Sequence, residues 1–230
     1  MAIRLAFVHG SGYTNASFAH QVSAFQSSTG IALPGHPLGL ALESVDTCAA
    51  WLAGQLATPP GQGSVVVGNS LGGAIGLRYA LDFPQHARGL VLIGSGARLR
   101  VAPHIFSLIE NDWPACIPTL VNFALAPGAS VELRQRAGQW HEEVGQENTR
   151  RDYAACHSFD VMAELEALRV PVLIIVGSED KMTPLKYSHY LHEHISGSKL
   201  VIVAGAGHLT MAEKPDEVNA AIHEFLRDLD

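Results

Sequence analysis

Apolar residues occur in short continuous runs that alternate with segments of helical periodicity. Runs rich in β-branched residues suit strands buried on both faces of a parallel sheet; they lie at 3–8, 30–33, 65–67, 89–93, 172–176 and 200–203. Segments with apolar residues three and four positions apart predict amphipathic helices at 18–25, 45–56, 71–81, 185–194 and 215–226. This alternation predicts an α/β fold with a doubly wound, mainly parallel sheet of about six strands.

One block interrupts the alternation. From residue 98 to 168 there is no convincing strand pattern, and prolines stand at positions 103, 114, 118 and 127. The segment 130–168 is more charged than the rest and predicts two or three surface helices. A block of this size is too long for an ordinary connection. We therefore expect a core of residues 1–97 and 169–230 and a helical cap insertion of residues 98–168 over one edge of the sheet.

Composition and charge exclude several classes of protein. The 230 residues carry 15 Lys and Arg against 22 Asp and Glu, with no basic stripe, so we expect no nucleic-acid partner. No apolar run approaches the roughly 18 residues of a membrane span, so we expect no membrane partner. Cys48, Cys116 and Cys156 form no C-x-x-C motif, which favours a reducing compartment and predicts no metal site. Because the N-terminus does not resemble a signal peptide, we expect a cytoplasmic protein. We expect it to be a monomer or a homodimer.

A serine between a predicted strand and a predicted helix is the first candidate catalytic residue. The sequence "VVVGNSLGGAIGLRYAL" runs from a β-branched strand through Gly68, Ser70 and Gly72 into an alanine-rich helix. A G-x-S-x-G motif in this context is typical of a sharp turn that exposes a nucleophilic serine. The same motif also occurs in phosphate-binding turns or in plain connections where the serine caps the helix. A serine nucleophile needs a histidine base and an acid that orients it.

Two later loops supply those partners. His208 follows the last strand in "AGAGHLTMAEKPDEV", and Asp180 follows the preceding strand in "GSEDKMTP". Both loops are expected at the carboxyl edge of the sheet, where ligands bind in such folds. The order Ser70, Asp180, His208 fits a hydrolase triad. Glu179 is the alternative acid and is less favoured by its position in the turn.

The remaining histidines are predicted to have other roles. His104, His141 and His157 in the insertion are expected on the surface, and His9 is expected to shape the loop after the first strand.

Several motifs together resemble the α/β-hydrolase superfamily. They are "HGSG" at 9–12, "PGH" at 34–36, "GNSLGG" at 68–73, "GSEDKMTP" at 177–184 and "GHLTMAEKP" at 207–215. The chain is similar to small capped members such as carboxylesterases, enol-lactone hydrolases and carbon–carbon bond hydrolases. Unlike larger members, it begins almost directly on the strand before His9, which predicts six strands. After the strand ending at Ile93, where some relatives have their triad acid, it has "GSGAR", and this favours Asp180.

The resemblance implies a function and a set of roles. Ser70 is the expected nucleophile, His208 the base and Asp180 the orienting acid. The backbone N–H groups of Ser11 and Leu71 are expected to form an oxyanion hole. No cofactor is expected, because this chemistry needs none.

We expect carboxylic ester hydrolysis of a small or medium apolar substrate through an acyl-enzyme. The alternatives are a lactonase, a carbon–carbon bond hydrolase or lyase on the same triad, or a non-catalytic ligand receptor. Candidate pocket residues, which more often serve as ordinary packing residues, are Tyr13, Phe106, Trp113, Phe123, Trp140 and Met211.

Overall fold

The computed structural model describes residues 3–57 and 62–229, and these residues form a six-stranded sheet. Neighbouring strands are parallel throughout, in the order β2-β1-β3-β4-β5-β6. The strands are β1 (Arg4–Val8), β2 (Ser28–Ile31), β3 (Ser64–Asn69), β4 (Ala87–Ile93), β5 (Val172–Gly177) and β6 (Lys199–Val203). The sheet confirms the predicted α/β class and strand number.

The strand order reverses next to β1. The chain passes from β1 to β2 on one side, and β3 then pairs with β1 on the other side. Val8 of β1 is in register with Gly68 of β3, so the two strands end at the same level. Loops that leave the carboxyl ends of two such strands diverge and open a crevice between them. The segment after Val8 and the Ser70 corner therefore meet at this crevice.

Helices flank the sheet, and several more lie in the chain segment that connects β4 to β5. They are α1 (Ala19–Ala24), α2 (Val45–Gln55), α3 (Leu71–Asp82), α4 (Pro103–Asn111), α5 (Trp113–Ala124), α6 (Val131–Val144), α7 (Gln146–Ser158), α8 (Leu185–His194), α9 (Thr210–Glu213) and α10 (Pro215–Arg227), with 3₁₀ helices at Asn15–Phe18 and Met162–Ala167. All five helices predicted from periodicity are present.

The sheet is covered on both faces. Alternate residues of β3 belong to separate core clusters: Val66 packs in the cluster that contains α2 and α3, and Val65 and Val67 pack in the cluster that contains α10. All three side chains are fully buried. Full burial of one such side chain stabilises a fold by about 1.5–3 kcal/mol. Burial on both faces explains why β3 is a continuous apolar run without polar alternation.

The segment between β4 and β5 is helical. Its charged part, residues 130–168, forms α6, α7 and the second 3₁₀ helix, which agrees with the prediction of two or three helices. An isolated antiparallel bridge joins Arg98 to Asp160, so the two ends of the segment lie close together. Helices α4, α5 and α7 share a small apolar cluster of their own. The division into a core and a cap remains a prediction.

Candidate active site

Ser70 stands at the corner between β3 and α3 with a strained backbone, at φ 54° and ψ −114°. Across residues 3–57 and 62–229, no other non-glycine residue has a positive φ. Strain of this kind costs on the order of 1–3 kcal/mol and is concentrated at functional sites. The Ser70 side chain makes no capping hydrogen bond to α3. The geometry therefore does not support the alternative of a simple helix cap.

Two glycines allow this corner to form. A Cβ atom at Gly68 would lie 2.1 Å from the carbonyl oxygen of Gly72, and a Cβ atom at Gly72 would lie 2.1 Å from the carbonyl oxygen of Val8. Both distances are far below van der Waals contact. The close approach of α3 to β1 and β3 therefore requires the glycines of the G-x-S-x-G motif.

His208 and Asp180 form a hydrogen-bonded pair in the loops after β6 and β5. His208 Nδ1 lies 2.9 Å from Asp180 Oδ2, and both side chains are buried. Burial alone would raise the pKa of Asp180, but the His208 charge and hydrogen bonds from His208 and Thr183 outweigh burial and lower it. An ionised Asp180 accepts a hydrogen bond from the Nδ1–H of His208, which leaves Nε2 as the basic nitrogen.

The Asp180 carboxylate is fixed by its own turn. Its Oδ1 accepts the backbone N–H groups of Met182 (2.9 Å) and Thr183 (2.8 Å), and its Oδ2 accepts the Thr183 hydroxyl at 2.8 Å. The alternative acid, Glu179, is exposed. Sequence reasoning did not single out Thr183. An Asp followed three positions later by Thr is the pattern of a side-chain-stabilised turn and is the signal that indicates it.

The loop after β1 passes beside Ser70. A Cβ atom at Gly10 would lie 3.2 Å from Ser70 Cβ and 2.8 Å from Asn69 Oδ1. Ser11 follows in the same loop, and Leu71 is the first residue of α3. The first N–H groups of a helix have no acceptor within the helix. The two amides predicted to form an oxyanion hole therefore belong to the two segments that meet at Ser70.

His9 holds the start of that loop. Its Nδ1 donates to the Gly10 carbonyl oxygen at 3.0 Å, and its Nε2 accepts the Leu33 N–H at 3.2 Å. Burial, and secondarily the charge of His36, lowers the pKa of His9 to about 3. His9 is therefore neutral near pH 7, with both nitrogens engaged, which supports the loop-shaping role expected from the sequence.

A cavity of about 220 Å³ opens at Ser70 and His208. Its wall joins the carboxyl edge of the sheet to the helical segment and consists of Ser11, Tyr13, Ser70, Leu99, Arg100, Val101, Ala102, His104, Ile105, Leu120, Phe123, Tyr153, Cys156, Lys181, Met182, Thr183, Tyr187 and His208. Of the predicted pocket residues, Tyr13 and Phe123 belong to this wall.

The other four predicted pocket residues do not line this cavity. Met211 and Trp140 are buried in the core cluster shared with α10. Phe106 and Trp113 pack against the small cluster within the helical segment. The Trp140 ring meets the Tyr13 ring edge-on, with centroids 5.9 Å apart. Trp140 therefore packs against Tyr13, a residue of the cavity wall, without lining the cavity itself.

Backbone and amide contacts hold the His208 loop. The His208 N–H donates to the Ala124 carbonyl oxygen at 2.7 Å, so the end of α5 is tied to this loop. The Asn69 side-chain amide donates to the carbonyl oxygens of Ile93 and His208, each at 3.1 Å. A Cβ atom at Gly94 would lie 3.0 Å from Asp180 Oδ2 and 3.1 Å from His208 Nδ1. The close approach explains why a glycine follows β4.

Two supporting residues next to the corner were not singled out from the sequence. Asn69 precedes Ser70 within the quoted "GNSLGG" motif, and Ser95 donates its hydroxyl to the Ser70 carbonyl oxygen at 2.8 Å. Helix α3 and strand β4 separate Ser95 from Ser70 in the sequence, and the sequence around Ser95 contains no signal for this contact.

The expectation that His141 lies on the surface is wrong. Its side chain is fully buried, and its ring packs against Tyr13 with centroids 4.8 Å apart. Burial lowers the pKa of His141 to about 4. The polar composition of α6 predicted a surface helix, but one face of α6 packs under the loop that contains Gly12 and Tyr13. His104, by contrast, is exposed and lines the cavity.

Among residues 3–57 and 62–229, no helix has the length and apolar character required to cross a membrane. Within the same residues, no group of three or more His, Cys, Asp or Glu side chains is arranged to hold a metal ion.

The six-stranded parallel sheet with flanking helices is the fold of an α/β hydrolase. The model of the Alpha/beta hydrolase family matches residues 5–221, and the chain belongs to that family. It is similar to a solved thermophilic esterase, with 31% identity and a TM-score of 0.90, over 99% of this chain and 91% of the other.

Two more distant relatives have different activities in their names. A pimeloyl-[acyl-carrier protein] methyl ester esterase of Neisseria meningitidis is 24% identical over 97% of this chain and 93% of its own length. The solved enol-lactonase from Burkholderia xenovorans LB400 has 18% identity and a TM-score of 0.88, over 99% of this chain and 92% of the other, and this likeness shows the fold alone.

Proposed function

We propose that the protein is a serine hydrolase that cleaves carboxylic esters of small or medium size through an acyl-enzyme. Ser70 is the nucleophile, His208 the general base and acid, and Asp180 the residue that orients His208. The observation that carries this proposal is the cavity that contains both the strained Ser70 and His208, with Asp180 hydrogen-bonded to His208 at 2.9 Å. The family esterases add support at the level of reaction class.

The first half-reaction acylates the serine. His208 Nε2 takes the Ser70 hydroxyl proton as Ser70 Oγ forms a bond to the ester carbonyl carbon. The carbonyl oxygen gains negative charge and accepts hydrogen bonds from the Ser11 and Leu71 amides, each worth about 3 kcal/mol in comparable sites. When the bond to the leaving alcohol breaks, His208 returns the proton to the departing oxygen.

The second half-reaction releases the acid. His208 takes a proton from water, the hydroxyl attacks the acyl carbon, and the bond to Ser70 Oγ breaks. Ser70 regains its proton from His208, so the enzyme returns to its starting state. The net reaction adds one water to one ester and needs no further reactant.

The cavity suits an apolar acyl or aromatic group. Leu99, Ile105, Leu120 and Met182 contribute apolar wall area beside Ser70. A volume of about 220 Å³ is small compared with the roughly 300–1,000 Å³ of typical drug-sized ligand pockets. The proposed substrates are therefore short esters with an alkyl or aromatic group.

The cysteines bear on the cellular compartment of the enzyme. All three cysteines are buried and free, which fits the reducing conditions of the cytoplasm. We propose a cytoplasmic monomer or homodimer, which fractionation and light scattering would test.

Turnover of short p-nitrophenyl esters tests the mechanism. We expect activity in the wild type and a loss on the order of 10⁴-fold or more in kcat for Ser70→Ala. Ser23→Ala removes an exposed helical hydroxyl and serves as the matched control. A fluorophosphonate probe should add one equivalent of mass at Ser70. Equal activity in wild type and Ser70→Ala would overturn the proposal, and absence of both labelling and turnover would favour the non-catalytic receptor.

A further inference from the structure

The wall of the cavity is positively charged, although the chain as a whole is acidic. Arg100, His104 and Lys181 line it together with Ser70. Among the residues that the structure describes, no Asp or Glu side chain lines this cavity. The chain has 22 acidic residues against 15 Lys and Arg, so the charge of the cavity wall is opposite in sign to the net charge of the chain. Its charge favours an anionic ligand group.

The two permanently charged side chains have no carboxylate partner in the described part of the chain. Arg100 makes a long 3.4 Å hydrogen bond to the His157 carbonyl oxygen and forms no ion pair there, and Lys181 forms none either. The neighbouring Arg98, in contrast, pairs with Asp160 at 3.7 Å. Arg100 and Lys181 are exposed at the cavity. Their charges are therefore available to a bound molecule.

These three side chains come from two segments that converge on one cavity. Arg100 and His104 lie in the stretch from the end of β4 to the first turn of α4, and Lys181 lies directly after Asp180 in the loop following β5. Leu99 and Ile105 of the first segment and Met182 of the second add apolar wall beside Arg100 and Lys181. An extended ligand can therefore contact apolar wall and cationic side chains at once. An Arg guanidinium binds a planar carboxylate with two parallel hydrogen bonds.

We propose that the preferred substrate is an ester whose short apolar chain ends in a carboxylate, which Arg100 and Lys181 bind with help from His104. This inference rests on the proposed ester hydrolysis and sharpens it, because the carboxylate end distinguishes the substrate from a simple apolar ester. The carboxylate contributes to binding and orientation at a distance from the scissile bond. The chemical steps at Ser70 are unchanged.

Two substrates of equal chain length test the proposal. Monomethyl adipate and methyl hexanoate both present a six-carbon acyl chain, and they differ in a terminal carboxylate against a methyl group. The readout is the ratio of their kcat/KM values, measured by chromatography of the released acids. We expect the wild type to prefer the charged ester by about tenfold, the scale of two exposed ion pairs. Raising ionic strength to 1 M should reduce the ratio, because salt screens exposed charges.

Substitutions at Arg100 and Lys181 test whether these two residues cause the preference for the charged ester. Combined Arg100→Gln and Lys181→Gln should bring the ratio close to one, and Arg100→Glu should make the neutral ester the better substrate. Arg227→Gln removes an exposed arginine outside the cavity and should leave the ratio unchanged.

The outcomes separate the two proposals. A wild type without preference for the charged ester, or a double variant with the wild-type ratio, would overturn the carboxylate inference while Ser70-dependent turnover still stands. Failure of the proposed function has a different signature, since neither methyl ester nor any p-nitrophenyl ester would then be hydrolysed in a Ser70-dependent way.

Discussion

His36 and Asp152 form a buried pair, with His36 Nε2 2.8 Å from Asp152 Oδ2. The same carboxylate oxygen accepts the backbone N–H of Gly12 at 2.8 Å, and His36 Nδ1 lies 3.0 Å from the Pro34 carbonyl oxygen. Helix α7 is therefore tied through one carboxylate to the "PGH" loop and to the loop that contains Ser11. The pair connects the helical segment to the proposed oxyanion hole without touching Ser70.

Removal of the Asp152 carboxylate should destabilise the fold. Asp152→Ala leaves the Gly12 N–H and the His36 ring without their acceptor, and loss of one partner of a buried pair costs about 3–5 kcal/mol. Asp152→Asn retains a carbonyl oxygen that can accept one of these hydrogen bonds, so we expect a smaller loss. Urea unfolding at pH 7 measures both. Equal stability of Asp152→Ala and wild type would contradict this account of the contact.

The stability contribution of His36 should decline as pH rises. Burial alone would lower the pKa of His36, but the Asp152 charge and the hydrogen bonds of the ring outweigh burial and raise it above 6.5. A raised pKa in the folded state gives a contribution that is complete below pH 6.5 and lost as pH increases through the raised value. The difference in free energy of unfolding between wild type and His36→Gln should therefore shrink from pH 6 to pH 9. A constant difference over this range would argue against a charged His36.

His141 should have the opposite pH dependence. Burial lowers its pKa from 6.5 to about 4 in the folded protein, so the unfolded chain binds a proton that the folded chain does not. Its contribution is complete above pH 6.5 and is lost at about 1.4 kcal/mol per pH unit as pH falls toward 4. His141→Phe should reduce the slope of the free energy of unfolding against pH by this amount. His141→Phe with the wild-type slope would show that His141 is protonated in the folded state.

The hydrogen bonds around Asp180 should affect kcat more than KM. Asp180→Asn removes the charge that orients His208 and should lower kcat by about 10³- to 10⁴-fold. Thr183→Val removes a hydroxyl 2.8 Å from Asp180 Oδ2 and should lower kcat by about tenfold, the scale of one hydrogen bond to a charged group. Thr183→Ser retains the hydroxyl and should restore most of kcat. A Thr183→Val effect confined to KM would indicate that Thr183 acts through the cavity wall.

Local sequence patterns predicted the elements that depend on local physics. Buried parallel strands are continuous apolar runs, so the prediction of 172–176 differs from the observed Val172–Gly177 by one residue, and the helix predicted at 185–194 is present with those bounds. The turn at Ser70 was also predictable, because the glycines of G-x-S-x-G are the residues that so close an approach of helix and strand requires. The spacing of apolar residues indicates which faces of a strand or helix are buried, and runs buried on both faces predict a parallel sheet.

Contacts between distant segments could not be predicted in the same way. His141 belongs to a polar helix, and its burial depends on where α6 packs relative to Tyr13. Arg100 and Lys181 are 81 positions apart (181 − 100), and they line the same cavity because β4 and β5 end at the same edge of the sheet. Such convergence is a property of the packed tertiary structure and leaves no periodic signal in either segment.

The two glycines at 72 and 54 provide a matched test of the Ser70 corner. A Cβ atom at Gly72 would lie 2.1 Å from the Val8 carbonyl oxygen, whereas one at Gly54 in α2 would meet no atom within 4 Å. Gly72→Ala should therefore destabilise the protein by about 1–3 kcal/mol or more through overpacking, and it should displace α3 and lower kcat. Gly54→Ala should stabilise it by up to about 1 kcal/mol, because alanine is favoured over glycine at this exposed position in the last turn of α2. Both are followed by thermal unfolding and ester turnover. If Gly72→Ala retained wild-type stability and kcat, the close approach of α3 to β1 would not be what holds Ser70 in its strained backbone conformation.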